Sequence, residues 1–372
     1  MNMSVGASFT LIEDGQVLTA ADLRARADAI SVLGPVAGGI YGADDRSVAG
    51  LIVALMTAHS QKTDLYVQRV QGALAATGEE VSGKIWLQTS GTTGTPKWAG
   101  HDMARLVAAI ATGGGAPARW LLTYHPFSFA GLQVILSALI GGHTLIAPPE
   151  GADVAAMAQL AGTTAPTHIS GTPTFWRAFL MSAPRDLSLR AVTLGGEAVD
   201  QGLLDALRQR FSDAHIRHIY ATTEAGVVLT VSDGQAGFPQ SALSGRLALS
   251  DQGTLLVDGH DTRDAVSVEG GRVRFRGRLD SLVNIGGVKV FPEEVEAYLA
   301  QCPAVADARV WPRPNPITGH VLTAEIALAP EADEAVVKAH IQGLPRASRP
   351  VGIRFVEAIA RGDTGKKSRA GA

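Results

Sequence analysis

The sequence predicts an α/β protein, with a large N-terminal domain of βαβ-type sheets, a β-rich subdomain and a small α+β C-terminal domain. Three observations support this. Between Lys84 and Ala221, short apolar runs alternate with segments of helical period, the pattern of βαβ units and a largely parallel sheet. After Glu224 the texture shifts to short β-like runs punctuated by glycines from Gly234 to Gly271. From residue 281 onward, strand and helix patterns mix in a compact stretch.

Phe9–Ile12 and Val17–Leu18 flank Asp14-Gly15, a two-residue hairpin signal. Thr19 is placed to cap a helix through Leu23, Ala27 and Ile30. A second helix is expected over Ser47–His59 and a strand over Leu65–Val67. In the alternating region, strands are expected at Lys84–Gln88, Trp120–Leu122, His143–Ala147, Thr167–Ser170, Ala191–Leu194 and Ile216–Ala221. The helices between them are Met103–Ala111, Phe129–Ile140, Ala152–Leu160, Pro173–Met181 and Gln201–Phe211. Near the C-terminus, Pro292 followed by Glu293 and Glu294 opens a helix, with proline and acids suited to its first turn. Strands at Ala308–Trp311 and His320–Leu328 and a helix over Glu331–Ile341 complete the reading.

A chain of 372 residues, 46% hydrophobic and 18% charged, is expected to fold into more than one domain without covalent staples. A formal charge of −3 argues against a nucleic-acid partner. Cys302 is the single cysteine, which excludes an intrachain disulfide. Met1–Val5 lacks the charge and apolar run of a secretory signal, and Val48–Met56 is too short to span a bilayer. A cytoplasmic protein without a membrane span is expected.

The most informative segment is Thr89-Ser90-Gly91-Thr92-Thr93-Gly94-Thr95-Pro96-Lys97, directly after a strand-like run. Its glycines let backbone N–H groups approach a ligand, its hydroxyls add donors, and Lys97 supplies a positive charge. Successive N–H groups of this kind form an anion nest suited to a polyphosphate. The Walker spacing is absent, because Pro96 stands where that motif requires glycine. No G-x-S-x-G elbow and no G-x-G-x-x-G fingerprint occurs, and His215 and His218 on one strand would face opposite ways.

The order of those nine residues resembles the phosphate loop of acyl-adenylate-forming enzymes: acyl-CoA synthetases, peptide-synthetase adenylation domains and luciferases. Further segments resemble that family in its own order. Gly195-Gly196-Glu197 matches its GGE turn beside adenine. Tyr220-Ala221-Thr222-Thr223-Glu224 matches Y-G-x-T-E, with Ala221 in place of glycine. Thr262-Arg263-Asp264 stands where the family has T-G-D, with Arg263 in place of glycine. Gly277-Arg278-Leu279-Asp280, Val283–Val290 and Pro292–Glu296 resemble its hinge and the start of its C-terminal domain, with Asn284 where lysine is frequent. Asp363–Arg369 resembles its closing T-x-x-G-K-x-x-R.

The resemblance implies a division into residues 1–279 and 281–372, hinged near Asp280, with a shortened N-terminal region. It implies ATP, Mg²⁺ and a thiol, either CoA or a carrier-protein phosphopantetheine, as cofactors or co-substrates. The partners implied are a small carboxylic acid and, in the second case, an acyl carrier protein. Roles then fall on particular residues. Thr89, Ser90, Gly91, Thr92, Thr93 and Gly94 would hold phosphate with Lys97. Gly195, Gly196, Glu197, Tyr220, Ala221 and Thr222 would line the adenine side. Thr223 would touch phosphate and Glu224 would bind Mg²⁺. Asp264 and Arg278 would hold the ribose, and Lys366 would bridge carboxylate and α-phosphate. Ser128, Phe129, Gly131, Ser170, Gly171 and Val228 would line the acyl pocket, and Gly286 and Gly287 the thiol tunnel. No aspartate occurs between Pro126 and Leu132, where amino-acid-activating members keep one, so an aryl or aliphatic acid is favoured. A nucleotide-binding homologue with little catalysis is the alternative from another class.

Overall fold

The computed structural model describes residues 5–30, 39–41, 47–69, 83–89, 97–107, 110 and 116–359. Its largest sheet has eight strands. Six run parallel in the order His215–Thr222, Ala191–Gly195, His168–Gly171, Arg119–Leu122, Thr144–Ala147 and Thr10–Glu13. Antiparallel strands close the two edges: Gly226–Val231 pairs with the first, and Gln16–Thr19 with the last. Sequence predicts the N-terminal hairpin, whose Asp14-Gly15 turn has both residues at positive φ, 48° and 74°. Its parallel pairing with Thr144–Ala147 comes from contacts made far along the chain.

The helices following the strands are fixed by local chemistry. Thr19 and Asp22 form a reciprocal capping box at Ala20–Asp28. Ser47 caps Val48–Gln61, whose first amides also donate to the Glu13 carboxylate at 2.6 and 2.9 Å. Phe129–Gly141 begins at Ser128 and ends at Gly142 in the left-handed region. Two expected helices shift where a cap decides the boundary. The helix expected from Ala152 runs over Val154–Thr164, because the Asp153 side chain accepts from Ala156 N. The one expected from Glu331 runs over Glu334–Ile341, because Glu331 is left-handed and Asp333 caps. The helix expected over Met103–Ala111 is observed over Met103–Val107.

A four-stranded sheet, Gly39–Tyr41, Leu65–Val67, Lys84–Thr89 and Lys97–Asp102, flanks the first. Leu51, Ile52, Leu55, Leu65, Leu132, Ile135 and Leu139 are buried in the core that joins these layers. A five-stranded antiparallel sheet built from residues 238–278 follows, over a core containing Phe238, Leu255 and Val273. The smaller C-terminal domain carries Val305–Asn315, Gly319–Leu328 and Gly352–Val356 as one sheet, with helices Pro292–Leu299 and Glu334–Ile341. Leu299, Val310, Ala324 and Val337 lie in its separate core. The Arg309–Glu325 ion pair is buried there, and Arg309 also stacks on Trp311. No helix among the described residues is long and apolar enough to cross a membrane.

Candidate active site

Several of the described candidate residues lie where the parallel strands end. In open α/β sheets a ligand binds beyond the carboxyl ends of the strands, because loops there diverge and leave a crevice. Thr123-Tyr124-His125 leaves one strand, Gly171-Thr172 the next, Gly195-Gly196-Glu197 the third, and Thr222-Thr223-Glu224 the fourth. These turns are tied to one another. Tyr124 Oη donates to the Gly195 carbonyl at 3.3 Å, and Thr123 Oγ1 donates to the Ser170 carbonyl. Gly196 has φ 86°, a left-handed turn that glycine adopts without strain.

Glu197 is committed within the protein. Its carboxylate accepts from Thr174 N at 3.0 Å and Thr174 Oγ1 at 2.6 Å, which fastens the GGE turn to the start of helix Pro173–Ser182. Gly171 has a packing reason: a Cβ there would overlap Phe175 Cδ1 and lie 3.0 Å from Cγ. Ser128 caps its helix, accepting from Gly131 N at 3.1 Å while donating to the His125 carbonyl at 2.8 Å. Gly131 packs against the His125 carbonyl, leaving no room for a Cβ.

A polar chain joins the other motif segments. Tyr220 Oη donates to Asp264 Oδ2 at 2.7 Å across 44 residues of sequence. Arg278 Nη1 reaches Asp264 Oδ1 at 3.3 Å, and its Nη2 reaches Asp280 Oδ2 at 3.2 Å. The Tyr220 ring lies 5.0 Å from that of Phe275. Burial, with the Asp264 charge, pushes the Tyr220 phenol well up, so it stays a protonated donor at neutral pH. Strand pairing slips between Tyr220 and Ala221, where Tyr220 faces Leu229 and Ala221 faces Val227. Val228 is the extra residue of that bulge and packs on the β-subdomain core.

Glu224 sits in the exposed turn after its strand, and no hydrogen bond or ion pair engages its carboxylate among the described residues. Among those residues no cluster of three or more metal-ligating side chains occurs. One free carboxylate suits Mg²⁺ shared with substrate phosphates, the usual way this ion is held.

Phe129 lies beside Gly226, whose added Cβ would be 3.8 Å from Phe129 Cζ, and its ring is 5.6 Å from that of His101. His101 is a site neighbour that sequence reasoning missed. It is 3% exposed and its Nε2 has no hydrogen-bond partner among the described residues. Burial, reinforced by the Arg105 charge, pushes its imidazole below the ordinary value despite the nearby Thr223 backbone and Glu224 carboxylate. The only available signal was position: it is the fifth residue of the strand leaving the glycine-threonine loop.

Ser90–Pro96 and Lys366 lie outside the described residues, as do the side chains of Thr89 and Lys97. The strands on either side of the loop are in place, with Thr89 paired opposite Lys97. Gly286 and Gly287 form the turn of the hairpin Val283–Ile285 and Val288–Val290 in the C-terminal domain. There Gly286 N donates to the Thr318 carbonyl at 2.9 Å.

Residues 85–279 match the AMP-binding enzyme family, and residues 294–366 match the AMP-binding enzyme C-terminal domain. The chain belongs to the AMP-binding enzyme family. Among its relatives, it is 29% identical to 2-succinylbenzoate–CoA ligase of Escherichia coli, over 69% of this chain and 61% of that enzyme. It is 26% identical to a probable 2-succinylbenzoate–CoA ligase of Mycobacterium tuberculosis, over 92% of this chain and 94% of the relative. The match spans 8% of a peptide synthase of Amycolatopsis lactamdurans, so the chain covers less than two thirds of that protein and of the E. coli enzyme. The fold is shared with o-succinylbenzoate CoA synthetase of Bacillus subtilis bound to its acyl-adenylate, at TM-score 0.65 and 19% identity over 96% of this chain and 93% of the other. An anthranilate CoA ligase in complex with anthranoyl-AMP superposes at TM-score 0.70 and 18% identity, over 98% and 92% of the two chains.

Proposed function

We infer that the protein is an ATP-dependent acid–thiol ligase, forming an acyl-AMP and then an acyl thioester, with CoA as the thiol. The observation that supports this best is the hydrogen bond between Tyr220 and Asp264. It brings the segment ending in Glu224 and the segment carrying the ribose-binding acid to one place at the strand ends. In this reading the acid carboxylate attacks the α-phosphorus and pyrophosphate departs into the Thr89–Lys97 loop. The thiol then attacks the acyl carbon and AMP leaves. Asp264 and Arg278 orient the ribose, Tyr220 lines the adenine, and Glu224 holds the metal with the phosphates. Mg²⁺ when bound neutralises phosphate charge. Lys97 and Lys366 supply cationic charge to the phosphates and to the reacting carboxylate. Residues from about 281 onward act as a lid that rotates near Asp280 between the two steps.

The acid is proposed to be aryl or aliphatic, and 2-succinylbenzoate is the first candidate because two relatives carry it in their names. Carboxylate-dependent ATP–pyrophosphate exchange across an acid panel, with CoA-dependent AMP release scored separately, tests the reading. Exchange should require an acid and fall at least about 100-fold in Lys366→Ala, the size expected for loss of a charge aimed at the transition state. Exchange silent across the panel, or undiminished in Lys366→Ala, refutes the ligase or that lysine's role respectively.

A further inference from the structure

Arg263 occupies the position where the family motif has glycine, and its backbone keeps the left-handed conformation that glycine favours, with φ 62°. A residue with a Cβ is strained there. Its side chain shows what the strain accompanies. Arg263 Nε and Nη2 both reach Asp280 Oδ1, at 2.7 and 2.6 Å. Asp280 Oδ2 is taken by Arg278, so two guanidiniums hold one carboxylate at the junction between the two domains. The Arg263 turn is itself fastened, since its amide donates to Asp261 Oδ1 at 2.7 Å.

Apolar packing at this junction centres on Phe291, which is buried against Gly277 and beneath the Arg276 guanidinium. A cavity of about 580 Å³ opens beside Asp280, lined by Arg278, Asn284, Pro292, Val310 and His320 among others. The other local ties are also polar: Arg276 to Glu294 at 2.6 Å, and Ser281 Oγ to Glu293 at 2.8 Å. The Arg263–Asp280 pair is exposed, so it can break without disrupting a core.

We propose that Arg263 is a positioning residue that latches Asp280, favouring the lid orientation seen here over the alternative and so setting the balance between adenylation and thioester formation. The latch rests on the ligase reading for its catalytic consequence, whereas its structural part stands alone and is tested without turnover. Arg263→Gly removes the latch and also the backbone strain, so the variant should melt no lower than the parent.

The experiment uses the full chain labelled with a fluorophore pair at Asp251→Cys and Gln342→Cys, both exposed positions in different domains. Cys302 is buried and so does not compete for label. Energy transfer reports the lid distribution without nucleotide and with ATP alone. Arg263→Gly should change the ratio of lid populations by about two- to five-fold, the range for an exposed ion pair. Arg263→Lys should restore part of the change. About 1 M salt should move the parent toward the variant. Asp280→Asn, which also weakens the Arg278 tie, should shift the populations at least as far, with no added effect of Arg263→Gly in its background. An unchanged distribution in Arg263→Gly, or effects of the two substitutions that simply add, overturns the latch. Absence of acyl-AMP formation in the parent refutes the ligase and leaves the fluorescence result to decide the latch.

Discussion

Asp264→Asn isolates the charge at the centre of the polar chain. Its two carboxylate oxygens take separate partners, Oδ2 from Tyr220 and Oδ1 from Arg278. The Asp264 side chain is 19% exposed, and the structure places it between the end of strand His215–Thr222 and the hairpin His260–Arg278. If ribose hydroxyls donate to it, each is a bond to a charged acceptor, worth about 1.5–3 kcal/mol. Asparagine keeps one acceptor and replaces the other with an NH₂ group that faces either a guanidinium or a hydroxyl. Loss of one charged bond therefore predicts nucleotide binding weaker by roughly 10- to 150-fold. The effect on folding should be much smaller, because the Arg278 partner is 43% exposed and a pair of this kind contributes about 1 kcal/mol or less. Calorimetric titration with AMP, alongside a melting curve, separates the two quantities. Removing the anion should also make Tyr220 easier to ionise, visible as an earlier tyrosinate rise in an alkaline absorbance titration. Affinity within twofold of the parent at unchanged melting temperature would refute the placement of ribose on Asp264.

Two further outcomes follow from packing and charge. Gly171→Ala forces a methyl group into Phe175, whose ring is packed against Trp176 and Phe179 at centroid distances of 5.7 and 5.3 Å. Overpacking of this kind costs about 1–3 kcal/mol, and the melting temperature should fall by roughly 2–5 °C; an unaltered melt would mean the ring has room to move. His168 is half-buried beside Trp120, and burial, with the Arg190, His143 and Arg217 charges, depresses its imidazole to about 4. Its ordinary value is ~6.5, so the unfolded chain takes up a proton between these values that the fold refuses. This contribution is present above ~6.5 and is lost as pH falls toward 4. Melting temperature against pH should be flatter over that window in His168→Gln, and an identical slope would remove His168 from the acid response.

Local chemistry explains which elements were legible. Thr19, Ser47, Asp14-Gly15 and Pro173 each act on backbone within a few residues, so a reader of the chain can place the elements they start or turn. Long-range partners leave no such trace. Glu13 supports a helix 35 residues later through its carboxylate, and nothing near Glu13 indicates this. The strand-end turns were legible because close approach of backbones demands glycine, as at Gly196. The polar chain through them was not, since an arginine in a turn gives no clue to which carboxylate it meets. Arg263 stood out only as a departure from a motif, and its partner lies 17 residues on. His101 was overlooked because one histidine in a short strand has no pattern.

The balance of forces at the domain junction bears on mechanism. Each side keeps its own apolar core: Leu299, Val310 and Val337 lie in one, Phe238, Leu255 and Val273 in the other. Burying such side chains is worth about 1.5–3 kcal/mol each, so neither core is opened cheaply. Between them lie exposed ion pairs, a guanidinium stacked on Phe291, and Gly277, where a Cβ would come within 2.9 Å of the Phe291 ring and the Glu293 carboxylate. Glycine at that point lets the C-terminal helix seat closely without locking it by side-chain interdigitation. On the proposed ligase reading, two intact cores joined by exposed ionic ties suit a rotation of one against the other between the two proposed half-reactions. A substitution confined to those ties would then be expected to shift the balance between them while stability stays where it was.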